Sequence, residues 1–96
     1  MIKTVDVKTL KTWLANKEAV LIDVREPQEY AEANIPDSKL IPLGTFNKAL
    51  LPDFTNKKLV IHCRSGKRSA AACELLLKDD PNIEVYNLEG GILAWQ

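Results

Sequence analysis

What this sequence lacks narrows it first. It has no net charge, because thirteen lysines and arginines balance thirteen aspartates and glutamates. No global field therefore draws it to nucleic acid or to an anionic membrane, and any anion chemistry has to be local. It has no long apolar run, and its N-terminus, MIKTVDVKTL, has no signal-peptide core. Neither a membrane span nor a leader is expected, and the chain reads as cytoplasmic. One histidine and two cysteines at these spacings are too few for a zinc site, so no metal or cofactor is implied. Cys63 and Cys73 lie along one helical stretch that separates their sulfurs, and both are expected as free thiols. Repeats, low-complexity tracts and Gly/Ser linkers are missing too.

What is present is the balance of a folded globule: 96 residues, 46% hydrophobic and 27% charged, enough for one domain over residues 1–96. Three apolar runs read as strands: AVLIDV (19–24), KLVIHC (58–63) and IEVYNL (83–88). The first two are nearly continuous in Val, Leu and Ile, as in parallel strands covered on both faces; the third alternates and is expected nearer an edge. LIPL (40–43), shortened by Pro42, is a fourth candidate, and IKTV (2–5) a weaker fifth. Between them lie helical patterns. Asp6 is placed to cap a helix carrying Val7, Leu10, Trp13 and Leu14 on one face, and Pro27 suits the first turn of a short helix through Tyr30. Residues 68–78 are apolar around most of the circumference, and Asp79-Asp80-Pro81 ends that helix. The alternation implies an α/β fold, a mainly parallel central sheet of about five strands with helices on both faces. In such sheets ligands bind beyond the carboxyl ends of the strands, and Cys63 is at one.

The stretch CRSGKRS (63–69) surrounds that cysteine with Arg64, Lys67 and Arg68. A thiol becomes a strong nucleophile as thiolate, and its pKa of about 8.5 falls beside cations or a helix N-terminus. The amides of residues 64–69, curled ahead of a helix, form a nest for an anion, with Gly66 permitting the curvature. Cys73, amid Ala and Leu, is expected as a buried small hydrophobe. His62 neighbours Cys63 along a strand, so its ring points to the opposite face and is read as a packing or edge residue rather than a base.

At these residues the sequence resembles a single-domain rhodanese. LIDVREPQEYAEANIPDSKLIPL (21–43) is similar to the family's first signature, CRSGKRSAAACELL (63–76) to its active loop and following helix, and VYNLEGGILAW (85–95) to its closing signature. The resemblance implies a sulfurtransferase of sulfur metabolism. Cys63 would be the nucleophile that takes a sulfane sulfur from a small anionic donor, holds it as a persulfide and passes it to cyanide, a thiol or a protein acceptor. Arg64, Ser65, Gly66, Lys67, Arg68 and Ser69 would form the substrate-binding cradle. Asp23 and Arg25 match positions that are mainly structural, with Arg25 paired to a carboxylate. Gly90 and Gly91 match a turn near the site, for which a simple turn before the last helix suffices, and Trp95 is expected in the core.

Loop length separates this family from its phosphatase and arsenate reductase relatives. Four residues lie between Cys63 and Arg68; those relatives have one more before their arginine, whose place Ser69 takes here. No general acid is evident for a phosphate leaving group. A module that binds or relays persulfide to a protein partner without turnover stays open. The chain also departs from the two-domain thiosulfate enzymes, with Glu29 where they carry arginine and Ser65 where they carry lysine. Asn34 and Asp37 stand in place of the commoner His and Gly. The end at Trp95-Gln96 is read as truncated within a final helix, or as the rhodanese part of a longer, even membrane-anchored, protein.

Overall fold

The computed structural model describes residues 2–96. Five strands, β1 (Ile2–Val5), β2 (Ala19–Asp23), β3 (Lys39–Leu40), β4 (Lys58–His62) and β5 (Val85–Leu88), alternate with four helices, α1 (Val7–Ala15), α2 (Pro27–Glu32), α3 (Lys67–Asp79) and α4 (Gly91–Trp95), except that only two 3-10 turns, Leu43–Thr45 and Lys48–Leu50, stand between β3 and β4. The strands form one sheet in the order β1-β5-β4-β2-β3 with every pair parallel, an α/β fold.

Side-chain alternation sorts the core into two layers. From β4, Leu59 and Ile61 join Ile22, Val85 and the α3 residues Ala72, Cys73 and Leu76 on one face. Val60 joins Leu21, Leu88, Leu10 of α1 and Ile92 of α4 on the other. Both faces are covered, which is why the β2 and β4 runs are almost purely aliphatic. Asp6 caps α1 by accepting from the Thr9 N–H at 2.8 Å, and α2 opens at Pro27, as the sequence predicts.

Two expectations about strands change. IEVYNL was expected nearer an edge, yet β5 pairs with both β1 and β4, and the edges are β1 and β3. Its alternation has another cause. Tyr86 packs its ring edge-on against Trp13 at 5.0 Å while its hydroxyl donates to the exposed Glu84, and Asn87 turns toward the cysteine loop, so the polar Asn87 does not mark a solvent face. LIPL contributes only Leu40 to β3. Ile41 and Leu43 still donate to the carbonyls of Asp23 and Val24, but Pro42 between them has no N–H, and the chain turns into a 3-10 turn at Leu43–Thr45.

The two residues that depart from the family's usual His and Gly have local roles. Asn34 Nδ2 donates to the Tyr30 carbonyl near the end of α2 at 3.1 Å. Asp37 adopts φ +69°, the left-handed conformation that favours glycine and that Asp tolerates better than most. Trp95 is half-buried, packed against the second core layer, with the Lys11 ammonium 4.9 Å from its ring centroid.

Candidate active site

Strand β4 ends at His62, and the chain leaves the sheet at Cys63, reversing through Arg64-Ser65-Gly66 into α3. Gly66 makes the reversal at φ +120°, where a residue with a Cβ is strained. Its N–H then points back and donates to Cys63 Sγ at 3.1 Å. Ser69, from the first turn of α3, places its hydroxyl 3.4 Å from the same sulfur. Cys63 and Ser69 are buried, whereas Arg64, Ser65 and Lys67 are exposed.

The two carbonyls that begin the loop are held from outside. The Cys63 carbonyl accepts from Ile92 N–H at 3.0 Å and that of Arg64 from Leu93 N–H at 3.3 Å, both donors at the start of α4. This approach decides Gly91. At φ +57°, a Cβ there would lie 2.5 Å from the Cys63 carbonyl oxygen and collide with that of Arg64. A simple turn before the last helix is thus not the whole reason for the glycine: it lets α4 close on the active loop.

Burial pushes the Cys63 thiol up, but hydrogen bonds from the Ser69 hydroxyl and from the amides of Ser69, Gly66 and Ser65 outweigh it, leaving the thiol below its ordinary value. The cations, expected to do this, contribute less than the ring of donors. Arg68 in particular is engaged elsewhere: Nη1 and Nη2 donate to Oε1 and Oε2 of Glu29 on α2 at 2.6 and 2.9 Å. That hydrogen-bonded pairing holds the Glu29 carboxyl down to about 2, and it raises Arg68, which also feels the charge of Cys63. Arg64 lines a cleft of about 270 Å³ beside the loop, with Arg25, Glu29, Glu32, Ile92 and Leu93. A larger cavity, about 440 Å³, opens beside Phe54, Lys57, Ile83 and Glu84, ahead of β4 and β5, and has no cysteine or histidine in its lining.

Beneath the loop, Arg25 is paired with a carboxylate as expected. Its Nη2 donates to Asp23 Oδ2 at 2.8 Å and to the Ala33 carbonyl at 2.7 Å, tying the segment after α2 to the strand end. His62 is fully buried, so it is a packing residue and not an edge one. Its Nδ1 is 3.3 Å from the Cys63 carbonyl and its Nε2 is 3.5 Å from Asp23 Oδ2, so neither nitrogen is placed to act on the thiol. Burial pushes the imidazole down against the pull of Asp23, which favours the neutral ring. Cys73 is free and buried, its thiol pushed up to about 12 by desolvation. Among the described residues, no group of three or more His, Cys, Asp or Glu is placed to hold a metal ion, and no helix is long and apolar enough to cross a membrane.

Sequence reasoning missed two participants. Asn87 of β5 donates to the Gly66 carbonyl and accepts from Ser69, and Glu29 engages Arg68. The available signal for Asn87 was a polar side chain inside an apolar strand run.

A parallel α/β sheet that delivers one cysteine from a strand end into a ring of amides defines a thiol-centred domain. The chain belongs to the rhodanese-like domain family, whose profile matches residues 6–96. It is similar to a sulfurtransferase of Allochromatium vinosum, 38% identical over 96 residues that span 99% of this chain and 89% of the relative. A rhodanese-like domain protein of Staphylococcus aureus aligns with a TM-score of 0.82 at 36% identity, over 98% of this chain and 91% of that one. The human single-domain sulfurtransferase TSTD1 aligns with a TM-score of 0.80 at 28% identity, over 96% and 93%. Sulfur transfer is the general chemistry that this membership supports.

Proposed function

We propose that the chain is a sulfurtransferase working through a Cys63 persulfide, with thiosulfate, a polysulfide or a small persulfide as donor and cyanide, a thiol or a protein thiol as acceptor. The observation that carries this reading is the ring of donors around one sulfur: Gly66 N–H at 3.1 Å, the Ser69 hydroxyl at 3.4 Å and a thiol held below its ordinary value.

The Cys63 thiolate attacks the outer sulfur of the donor. A bond from Sγ to that sulfur forms while the donor's own bond to it breaks, and the electron pair leaves with sulfite when thiosulfate is the donor, with a polysulfide one sulfur shorter when a polysulfide is, or with a thiolate when a small persulfide is. The transferred sulfur then carries the negative charge, which the loop amides and the start of α3 stabilise. An acceptor thiolate or cyanide attacks that sulfur and restores the Cys63 thiolate. No net oxidant or reductant is consumed. Arg64 and Lys67, exposed at the mouth, draw the anionic donor in.

A phosphatase reading finds less support. Ser69, in the place of the arginine such enzymes need, is a buried hydroxyl already engaged with Asn87, and Arg68 is directed to Glu29. The deciding experiment is intact-protein mass spectrometry after donor treatment. One added sulfur that maps to Cys63 and is released by cyanide as thiocyanate is expected; no added sulfur on folded protein would overturn the reading. Sulfur accepted only from a protein donor, without turnover of small donors, would identify a relay module instead.

A further inference from the structure

Gly66, Ser69 and Asn87 form a closed hydrogen-bonded set beside the sulfur. Asn87 reaches it from β5, its Nδ2 donating to the Gly66 carbonyl at 3.1 Å and its Oδ1 accepting from Ser69 Oγ at 2.5 Å. The orientation of the amide follows from these partners, since reversing it would set Oδ1 against the Gly66 carbonyl. The Ser69 hydroxyl owns one proton and faces three acceptors: Asn87 Oδ1 at 2.5 Å, the Gly66 carbonyl at 3.1 Å and Cys63 Sγ at 3.4 Å. Gly66 does not depend on this proton, because its carbonyl also accepts from Ala70 N–H at 3.1 Å. The contest is therefore between Asn87 and the sulfur.

The charge on the sulfur decides it. With an uncharged thiol, the shortest contact holds the proton on the path to Asn87, and the Cys63 S–H donates to Ser69 Oγ. A thiolate draws the stronger, charge-assisted bond, so the hydroxyl swings to Sγ and leaves Asn87 Oδ1 without its donor. In a persulfide the inner sulfur is again uncharged, since the charge has moved to the outer sulfur, and the hydroxyl returns to Asn87.

We propose that Asn87 is a positioning residue for sulfur transfer: it holds the Ser69 hydroxyl whenever the inner sulfur of Cys63 is uncharged, and so favours the loaded persulfide over the unloaded thiolate. This rests on the reading of Cys63 as a persulfide carrier. Only hydrogen bonds are exchanged; no proton leaves the set.

The other groups around the sulfur stay constant when Asn87 is replaced. Arg68 comes from α3 and is paired with Glu29 of α2, while Arg64 and Lys67 lie on the loop and its helix start. Asp23, Arg25 and His62 form their own cluster beneath the loop. Tyr86 of β5 is bonded to Glu84, and α4 contributes no titratable side chain.

The test is the pH profile of Cys63 alkylation by iodoacetamide, with the fold followed by circular dichroism. Asn87→Ala and Asn87→Val both remove the acceptor, and valine suits a strand, so one carries the experiment where the other does not fold. The midpoint is expected at lower pH in each, with alkylation below it about tenfold faster. In a Ser69→Ala background the same replacements are expected to leave the midpoint where Ser69→Ala alone puts it. An unchanged or higher midpoint with Ser69 present, or an equal shift without it, overturns the proposal. A second readout is the fraction of Cys63 carrying extra sulfur at fixed concentrations of a small persulfide and its thiol: a lower fraction than wild type supports the proposal and an equal one overturns it. Failure of the wild-type protein to take up sulfur defeats the persulfide reading itself, whereas the alkylation midpoint judges Asn87 without any donor.

Discussion

Glu29 and Arg68, 39 positions apart in the chain, meet in a two-point ion pair with contacts of 2.6 and 2.9 Å. The pair joins α2 to the helix that follows the cysteine loop, and it removes one of the loop's three cations from service.

Replacing Glu29 is therefore expected to return that charge to the site. Glu29→Gln keeps the shape while removing the counter-charge, and kcat/KM for thiosulfate, a dianion, should rise several-fold at low salt and converge on wild type as salt is added. Steady-state thiocyanate formation measures it. An unchanged or reduced value at low salt would count against Arg68 being a withheld donor contact.

The same pair has a pH signature. The Glu29 carboxyl is held down to about 2 in the fold, against an ordinary value of 4.5. A depressed carboxyl contributes stability that is present above its unfolded value and lost as pH falls through the folded one. The contribution should thus be complete above about pH 5 and vanish near pH 2. Because both side chains are about one-third exposed, it is at most about 1 kcal/mol. An NMR titration of the Glu29 carboxyl, wild type against Arg68→Gln, reads the shift directly.

The two thiols should separate cleanly under alkylation. Cys63 is held below the ordinary thiol value by its hydrogen bonds, while Cys73 is buried and pushed up to about 12. Native protein at neutral pH is expected to gain one adduct, at Cys63, and unfolded protein two. Peptide mapping decides, and modification of Cys73 in the native fold would contradict the separation of the two thiols by their opposite shifts.

Gly91→Ala should be costly where Gly44→Ala is not. A Cβ at Gly91 meets the carbonyl oxygens of Cys63 and Arg64, whereas nothing lies within 4 Å of one at Gly44. A loss of about 2 kcal/mol is expected for Gly91→Ala from backbone strain and collision. Sulfur uptake should weaken with it, since α4 holds the start of the loop. Urea unfolding compares the two variants.

Asp23→Ala should destabilise more than any surface change. It would strand the Arg25 guanidinium, 5% exposed, against a fully buried Asp23 position. Removing one member of such a pair typically costs about 3–5 kcal/mol. A denaturation midpoint within error of wild type would show that Arg25 finds another partner.

How far the sequence could be read depended on the range of the interaction concerned. The aliphatic runs of β2 and β4, the Asp6 cap and the end of the α3 helix at Asp79-Asp80-Pro81, expected after residue 78 and found one residue later, after Asp79, are set by residues within a few positions of one another, and they were legible. So was the course of the cysteine loop from strand end to helix, because it is encoded in seven consecutive residues. The interior place of β5 was not, since alternation in a strand cannot distinguish a solvent face from polar side chains turned toward a site. Asn87 was of the second kind.

Local sequence by itself determined that this chain alternates strand and helix and presents Cys63 at a strand end with amides ahead of a helix. Tertiary structure alone decided what acts on that sulfur. Parallel crossovers bring Glu29, Asn87 and Gly91 to the loop from three other parts of the chain. The side-chain bonds made there divert Arg68, place the Ser69 proton between two acceptors and leave hydrogen bonds, more than nearby charge, to lower the thiol.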